Sequence, residues 1–180
     1  MTETPIVRPI RGRRSPTLGP LALMASNSQD LTDLCRSWTD QEERIERGLF
    51  NSRLLYGGET KGGSACAVGP VIGAPYAVML LETLVAWGAQ RIVYVGWCGA
   101  LNPALQVGDL LLPTQAIVDE GTSPAYGCGA GQVVRPNESW CEHLEWTVRS
   151  LGPAFHRGTI WSTDAVFRET PSRVDRKSVV

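Results

Sequence analysis

The chain has 180 residues and a mass of 19.6 kDa, enough to bury one continuous core without metal or disulfide support. Its formal net charge is -1 and its pI is near 6.1. These values argue against nucleic acid or an anionic membrane as the main partner, because both require a concentrated basic face.

The cysteines and the apolar runs indicate the compartment of the protein and whether it binds metal or a membrane. The five cysteines are scattered, with no CxxC motif and no histidine pair at metal-binding spacing, which predicts a reduced cytoplasmic compartment and no metal site. No apolar run approaches the roughly 20 residues that would cross a bilayer. We therefore expect no membrane association.

The N-terminal stretch is punctuated by proline, glycine and arginine without any hydrophobic period. It contains Arg8, Arg11, Arg13 and Arg14 and lacks the apolar segment of a signal peptide. A solvated tail is favoured over an anion-binding arm. We expect a flexible arm over residues 1–17 and a single α/β domain over residues 18–180.

The first predicted elements are a strand and a helix. Leu18 to Met24 is apolar enough for a strand, and Ser28 or Asp30 can cap a helix that runs to about Arg47 with one apolar face. Two strands are expected next, joined by the glycine-rich turn 57–63. They are Phe50 to Tyr56 and Ser64 to Val71.

The segment from Tyr76 to Trp87 predicts a helix that is apolar nearly all round, with Glu82 as its only charge. Such a helix needs a cover on both sides, so the sheet and a second subunit are the expected covers. A homo-oligomer follows from this pattern. Gly88 ends the helix, and the strand Arg91 to Val95 comes after a short connection.

Strands and helices continue to alternate after residue 95, which is typical of a three-layer α/β domain with a central mixed β-sheet flanked by helices. A loop is expected over Gly121 to Val134, because that segment contains four glycines and no period. The further expected elements are the strands Leu110 to Leu112, Gln115 to Val118 and Gly158 to Trp161, and the helix Trp140 to Leu151.

Four short motifs indicate a ligand pocket. The apolar run ending at Val95 is followed by Gly96, Trp97, Cys98 and Gly99, and glycine there lets the chain turn sharply and lets a ligand approach the backbone. Gly108-Asp109-Leu110 and Gly121-Thr122-Ser123 come later, and then Ser162-Thr163-Asp164-Ala165. In this order the motifs resemble the purine nucleoside and uridine phosphorylase superfamily over roughly residues 64–170.

The resemblance implies a nucleoside phosphorylase-like fold and cleavage of the N-glycosidic bond of a purine or pyrimidine nucleoside, by phosphate or by water. Cys98 is expected to be a small buried residue and not a nucleophile, and Asp164 is expected to support a turn. No catalytic residue can be assigned. The residues that the resemblance places in the nucleoside pocket are Gly96, Trp97, Cys98, Gly99, Asp164, Val166 and Phe167.

Inorganic phosphate is the implied co-substrate, with no other cofactor. Its site would use Ser26 and Asn27 at the end of the first strand and Tyr94 before the glycine turn. The family has an arginine at the position of Tyr94 and a hydroxyl residue at that of Trp97. Neither side chain here supplies a cation.

The family's pattern continues past the Thr-Asp-Ala segment to a strand and helix bearing its catalytic carboxylates, whereas this sequence stops at Val180. The expectation is a C-terminally truncated domain, for which catalysis stays open. The alternative is a non-catalytic nucleoside- or base-binding module. A dinucleotide-binding domain is disfavoured, because no GxGxxG follows a strand.

Overall fold

The computed structural model describes residues 5–37, 44–57 and 65–177. The chain divides into two compact units, Met1–Trp97 and Cys98–Val180. Each unit contains its own β-sheet. The helices and strands, in chain order, are β1 (Leu21–Ala25), α1 (Ser28–Ser37), β2 (Arg44–Leu49), β3 (Ser52–Gly57), β4 (Cys66–Gly69), α2 (Ala74–Ala86), β5 (Arg91–Val95), β6 (Leu110–Ile117), β7 (Val133–Val134), α3 (Glu138–Leu151), β8 (Phe155–Trp161) and α4 (Pro171–Lys177).

The first unit is built on a five-stranded sheet in the order β2-β3-β4-β1-β5. Strand β1 pairs in parallel with β4 on one side and with β5 on the other. Strands β2 and β3 add an antiparallel edge. The expected mixed sheet is confirmed, and so are the strand Arg91–Val95 and the α2 helix that precedes it.

Alternate residues of this sheet enter two separate cores, because successive strand side chains point to opposite faces. Leu54 and Val68 pack with Leu80, Leu84 and Trp87 of α2 and its end. Leu55 and Ala67 pack on the other face with Leu31 of α1, joined by Leu23 and Leu34. Helices therefore cover both faces of the sheet, and the predicted three layers are present in this unit.

The predicted helix from residue 28 to about Arg47 is wrong in its second half. Helix α1 ends at Ser37, and Arg44–Leu49 form a strand antiparallel to β3. Cross-strand pairing stabilises the strand, including the Glu46–Arg53 ion pair at 2.6 Å. Pairing with β3 therefore decides the conformation of these residues, although their hydrophobic period is that of a helix. Trp38 and the glycine turn after Gly57 lie outside the described residues.

The N-terminal segment is attached to the rest of the first unit by hydrogen bonds from side chains to the backbone of the segment. The Trp87 indole Nε1 donates to the Ile10 carbonyl oxygen at 3.0 Å, and Arg47 Nη1 donates to that of Arg14 at 2.9 Å. The Arg47 guanidinium also stacks over the Trp87 ring at 5.7 Å. Residues 5–17 form neither helix nor strand, and the predicted flexibility of this arm stays a prediction.

Cys66 should resist alkylation in the folded protein. It is fully buried in β4, and burial raises the pKa of its thiol to about 12, which suppresses the reactive thiolate. Cys98 is exposed and serves as the control in the same chain. Peptide mass spectrometry after iodoacetamide treatment at pH 8 should find Cys98 modified and Cys66 unmodified. Equal modification of both thiols would contradict this burial.

The second unit is a three-stranded sheet in the order β7-β6-β8, with β8 parallel and β7 antiparallel to β6. The two short strands predicted between Leu110 and Val118 are one strand, whose register shifts between Pro113 and Gln115. The predicted loop from Gly121 to Val134 contains a 3-10 turn and the short strand β7.

Helix α3 begins with a side-chain cap, since Asn137 Oδ1 accepts the Trp140 N–H at 3.0 Å. Its end is marked by Gly152 in the left-handed region at φ 93°. Within the described part of the chain, no helix combines the length and apolar character needed to cross a membrane.

Candidate functional site

In the first unit, three parallel strands end side by side. Strand β1 leads into Ser26 and Asn27, β4 into Val71, and β5 into Gly96 and Trp97. The Ser26 N–H donates to the Val95 carbonyl at 3.0 Å, and the Val71 N–H donates to the Ala25 carbonyl at 2.9 Å. Ligands of parallel α/β sheets bind at this edge. The predicted residues Ser26, Asn27, Gly96 and Trp97 therefore converge there.

Gly96 is crowded by neighbouring side chains at this edge. A Cβ atom on it would lie 2.6 Å from Tyr94 Cε1 and 3.4 Å from Ser26 Cβ. The Tyr94 hydroxyl donates to the Val71 carbonyl at 3.3 Å, and burial raises the pKa of its phenol. Tyr94 is therefore a neutral donor beside the glycine turn.

A carboxylate joins the ends of β1 and β5. The Asp30 Oδ2 atom accepts the Trp97 indole N–H at 2.8 Å and the Asn27 side-chain amide at 2.7 Å. Both donors use the same oxygen, and among the described residues Asp30 Oδ1 has no donor. The carboxylate is thus anchored through one oxygen, and the other is available to a ligand.

The cap of α1 differs from the prediction. Asn27 Oδ1 accepts the Asp30 N–H at 2.8 Å, so Asn27 caps the helix in place of Ser28 or Asp30. This leaves the Asp30 side chain to bind Trp97. No sequence pattern indicated the bond between Asp30 and Trp97, because the two residues are 67 positions apart in the chain. A phosphate near this carboxylate would meet like charge.

In the second unit, two parallel strands end side by side in the same way. Strand β6 leads into Asp119, Glu120 and Gly121, and β8 leads into Asp164. The Gly121 N–H donates to Asp164 Oδ2 at 2.7 Å. Asp164 therefore has the predicted turn-supporting contact. Burial acts to raise the pKa of Glu120. Hydrogen bonds from Ser123 and Thr122 outweigh this effect and hold that pKa below its ordinary value.

A cluster that sequence reasoning missed lies beside this loop. Asp119 Oδ2 accepts the Trp161 indole N–H at 3.0 Å and Arg173 Nη2 at 2.7 Å. The Arg173 guanidinium also stacks over the Trp161 ring at 5.6 Å. The only sequence signal was a tryptophan directly before the Ser162-Thr163-Asp164 motif.

The remaining predicted pocket residues lie in the second unit. Val166 and Phe167 are on a 3-10 turn, and the Phe167 side chain is 99% exposed. Cys98 is exposed, which corrects the expectation of a buried residue, and nothing lies within 4 Å of a Cβ placed on Gly99. Among the described residues, no group of three or more histidine, cysteine or acidic side chains could hold a metal ion.

Residues 20–178 match the family model of the phosphorylase superfamily. The chain is 33% identical over 126 residues to a uridine phosphorylase of Thermococcus kodakarensis, covering 70% of this chain and 45% of that protein. It is also 33% identical over 110 residues to a guanosine phosphorylase of Halorubrum lacusprofundi, covering 61% of this chain and 44% of that protein. The matches thus span less than half the length of these relatives.

Two solved structures share the fold. The uridine phosphorylase of Vibrio fischeri superposes with a TM-score of 0.74 at 20% identity, covering 91% of this chain and 70% of the other. The 5'-methylthioadenosine/S-adenosyl homocysteine nucleosidase of Campylobacter jejuni gives a TM-score of 0.71 at 19% identity, with coverages of 88% and 70%.

Proposed function

Because the chain belongs to the phosphorylase superfamily, we propose that it binds a purine or pyrimidine nucleoside and cleaves its N-glycosidic bond. The observation that supports this most is the edge of the first sheet. There the ends of β1 and β5 are bonded together beside Gly96, and an anchored carboxylate lies between Asn27 and Trp97. The names of the two relatives also supply the candidate substrates, uridine and guanosine.

Glycosidic cleavage passes through a cation-like sugar, so the site must bring a nucleophile to the sugar and stabilise the departing base. Nothing lies within 4 Å of a Cβ placed on Gly99, so a ligand can approach the backbone there. Trp97 in the first unit and Phe167 in the second each offer exposed aromatic surface to which a planar base can bind. We propose Gly96 and Trp97 of the first unit as nucleoside contacts, and separately Cys98, Gly99, Asp164, Val166 and Phe167 of the second unit.

The nucleophile can be phosphate or water. Phosphate would use Ser26, Asn27 and Tyr94, and as co-substrate it would make the protein a glycosyl transferase. The Asn27 amide, however, is already bonded to Asp30, and that carboxylate disfavours an anion. A carboxylate with one open oxygen is instead suited to take a proton from water. This geometry favours hydrolysis as a second candidate reaction.

A further candidate is a nucleoside- or base-binding module without turnover. It is favoured by Trp97, which is 80% exposed and can stack on a base without the participation of any ionisable group. The described residues of the candidate site also offer few ionisable groups for protonating a leaving base. A binding module would need only the glycine turn and the aromatic surface.

We also propose that the protein is a cytoplasmic homo-oligomer that acts in nucleoside salvage. The support for assembly is α2, whose Leu80 and Leu84 are buried whereas Met79, Leu81 and Val85 are exposed. Leu81 and Val85 are four residues apart and so lie on one face of the helix, where they form an apolar surface suited to a second copy.

Product analysis tests the proposed function. The protein is incubated with uridine, inosine and guanosine, each with and without inorganic phosphate, and the sugar product is identified by chromatography. Free ribose in both conditions indicates hydrolysis, and phosphate-dependent ribose 1-phosphate indicates phosphorolysis. No product, but calorimetric binding of a nucleoside, supports the binding module. If neither a product nor binding is detected, the proposal is overturned.

A further inference from the structure

The 3-10 turn Val166–Arg168 is attached at one end to the loop after β6. Asp164, two residues before the turn, accepts the Gly121 N–H at 2.7 Å. The Ala165 N–H donates to Thr163 Oγ1 at 3.2 Å, which fixes the chain between Asp164 and the turn. The entry to the turn therefore has a defined backbone path.

The other end is attached to the same loop through Arg173. Its Nη2 donates to Asp119 Oδ2 at 2.7 Å, and its Nη1 donates to the Arg168 carbonyl at 3.3 Å. The guanidinium lies over Trp161, whose indole bonds the same Asp119 oxygen at 3.0 Å. The Arg173 and Asp119 side chains are only 28% and 22% exposed, so water screens this pair less than a surface pair. We call Asp119, Trp161 and Arg173 the clasp.

The backbone of the turn is bonded internally as well. The Arg168 N–H donates to the Ala165 carbonyl at 2.8 Å, and the Glu169 N–H donates to that of Val166 at 3.3 Å. Phe167 projects from this turn with its side chain 99% exposed. A fixed backbone that carries an exposed aromatic ring is preorganised to bind a planar ligand, because little conformational freedom remains to be lost.

We propose that Asp119 and Arg173 are positioning residues that hold the Val166–Arg168 turn so that Phe167 meets the nucleobase. This inference rests on the proposed function, since it specifies how the base is contacted. Arg173 does not touch the ligand. Its contribution passes through the Arg168 carbonyl and the turn.

A double-mutant cycle tests whether Arg173 acts through Phe167. Dissociation constants for uridine and inosine are measured by calorimetry for Phe167→Ala, Arg173→Ala and the double variant. We expect each single variant to bind about tenfold more weakly and the double variant to bind no more weakly than Phe167→Ala. Arg173→Lys should recover only part of the affinity, because an ammonium lacks the planar fork. If the loss of affinity in the double variant equals the product of the two single losses, the residues act independently and the proposal is overturned.

Arg149→Ala is the matched control. Arg149 pairs with Glu145 at 2.8 Å and lies over the Phe155 ring at 5.1 Å, so it has the same kinds of partner away from the turn. Its removal should leave nucleoside affinity unchanged. A loss equal to that of Arg173→Ala would assign the effect to general destabilisation and overturn the proposal.

Hydrogen exchange tests the clasp without any ligand. Mass spectrometry should show faster amide exchange for residues 162–170 in Arg173→Ala and in the milder Asp119→Asn, but not in Arg149→Ala. Unchanged exchange in both clasp variants would overturn the inference and leave the proposed function standing. Absence of nucleoside binding by the unmodified protein would overturn the proposed function, and exchange alone would then decide whether the clasp holds the turn.

Discussion

Gly69→Ala is expected to lower the free energy of unfolding by about 1–3 kcal/mol, the usual cost of overpacking a tight core. A Cβ at position 69 would lie 2.8 Å from the Ala25 carbonyl oxygen and 3.3 Å from the Ala25 Cβ. Both strands are fully buried there, so the backbone itself must move. The same carbonyl accepts the Val71 N–H, so the displacement would also disturb the sheet edge that carries the candidate site.

Gly48→Ala is the control for this prediction. Gly48 lies in β2 of the same sheet, and nothing lies within 4 Å of a Cβ placed there. Its substitution should leave stability unchanged or raise it slightly, because alanine loses less conformational freedom on folding. Urea denaturation of the two variants measures the difference. Equal stability of the two variants would show that the space beside Gly69 is not limiting.

Asp30→Asn is expected to reduce kcat by about 100-fold or more if water is the nucleophile, since general-base catalysis contributes at least that factor. Asparagine keeps the shape and can still accept the Trp97 N–H, but it cannot take a proton from water. Steady-state kinetics with the best nucleoside of the panel measures the change. The KM should change little, because the open oxygen acts on water and not on the base.

The same variant separates the two candidate reactions. If phosphate is the nucleophile, removing the negative charge should improve phosphate affinity instead of abolishing turnover. Asp33→Asn serves as the control, since Asp33 lies one turn further along α1 and, among the described residues, bonds the exposed side chains of Gln29 and Arg36. A loss of kcat in both variants would point to damage to the helix and would contradict the role proposed for Asp30.

The sequence predicted best the parts of the fold that depend on local pattern. The apolar α2 helix and the β-branched strand Arg91–Val95 carry their signals within a few residues, and the three-layer class follows from their alternation. Strand β2 escaped prediction because its pairing with β3, not its own period, decides its conformation. Propensity is a weak guide wherever tertiary pairing competes with it.

The candidate site residues also divide into those that local motifs predict and those that only tertiary contacts reveal. Gly96 and Asn27 could be placed at strand ends from the motifs, because parallel strands bring such ends together. The Asp30–Trp97 bond joins residues 67 apart, and the Asp119–Arg173 bond joins residues 54 apart. No local pattern predicts which acidic side chain meets which donor over such distances. Asp30, Asp119 and Arg173 were therefore the partners to which the sequence assigned no binding role.

The attachment of the N-terminal segment depends on Trp87 and Arg47, and both donate to main-chain carbonyls. The side chains of Ile10 and Arg14, whose carbonyls accept these bonds, are themselves exposed. Every amino acid supplies the same main-chain carbonyl, so this attachment does not depend on which side chains occupy positions 10 and 14. The surface chemistry of the segment can therefore change through substitution while the anchors that hold it remain the same.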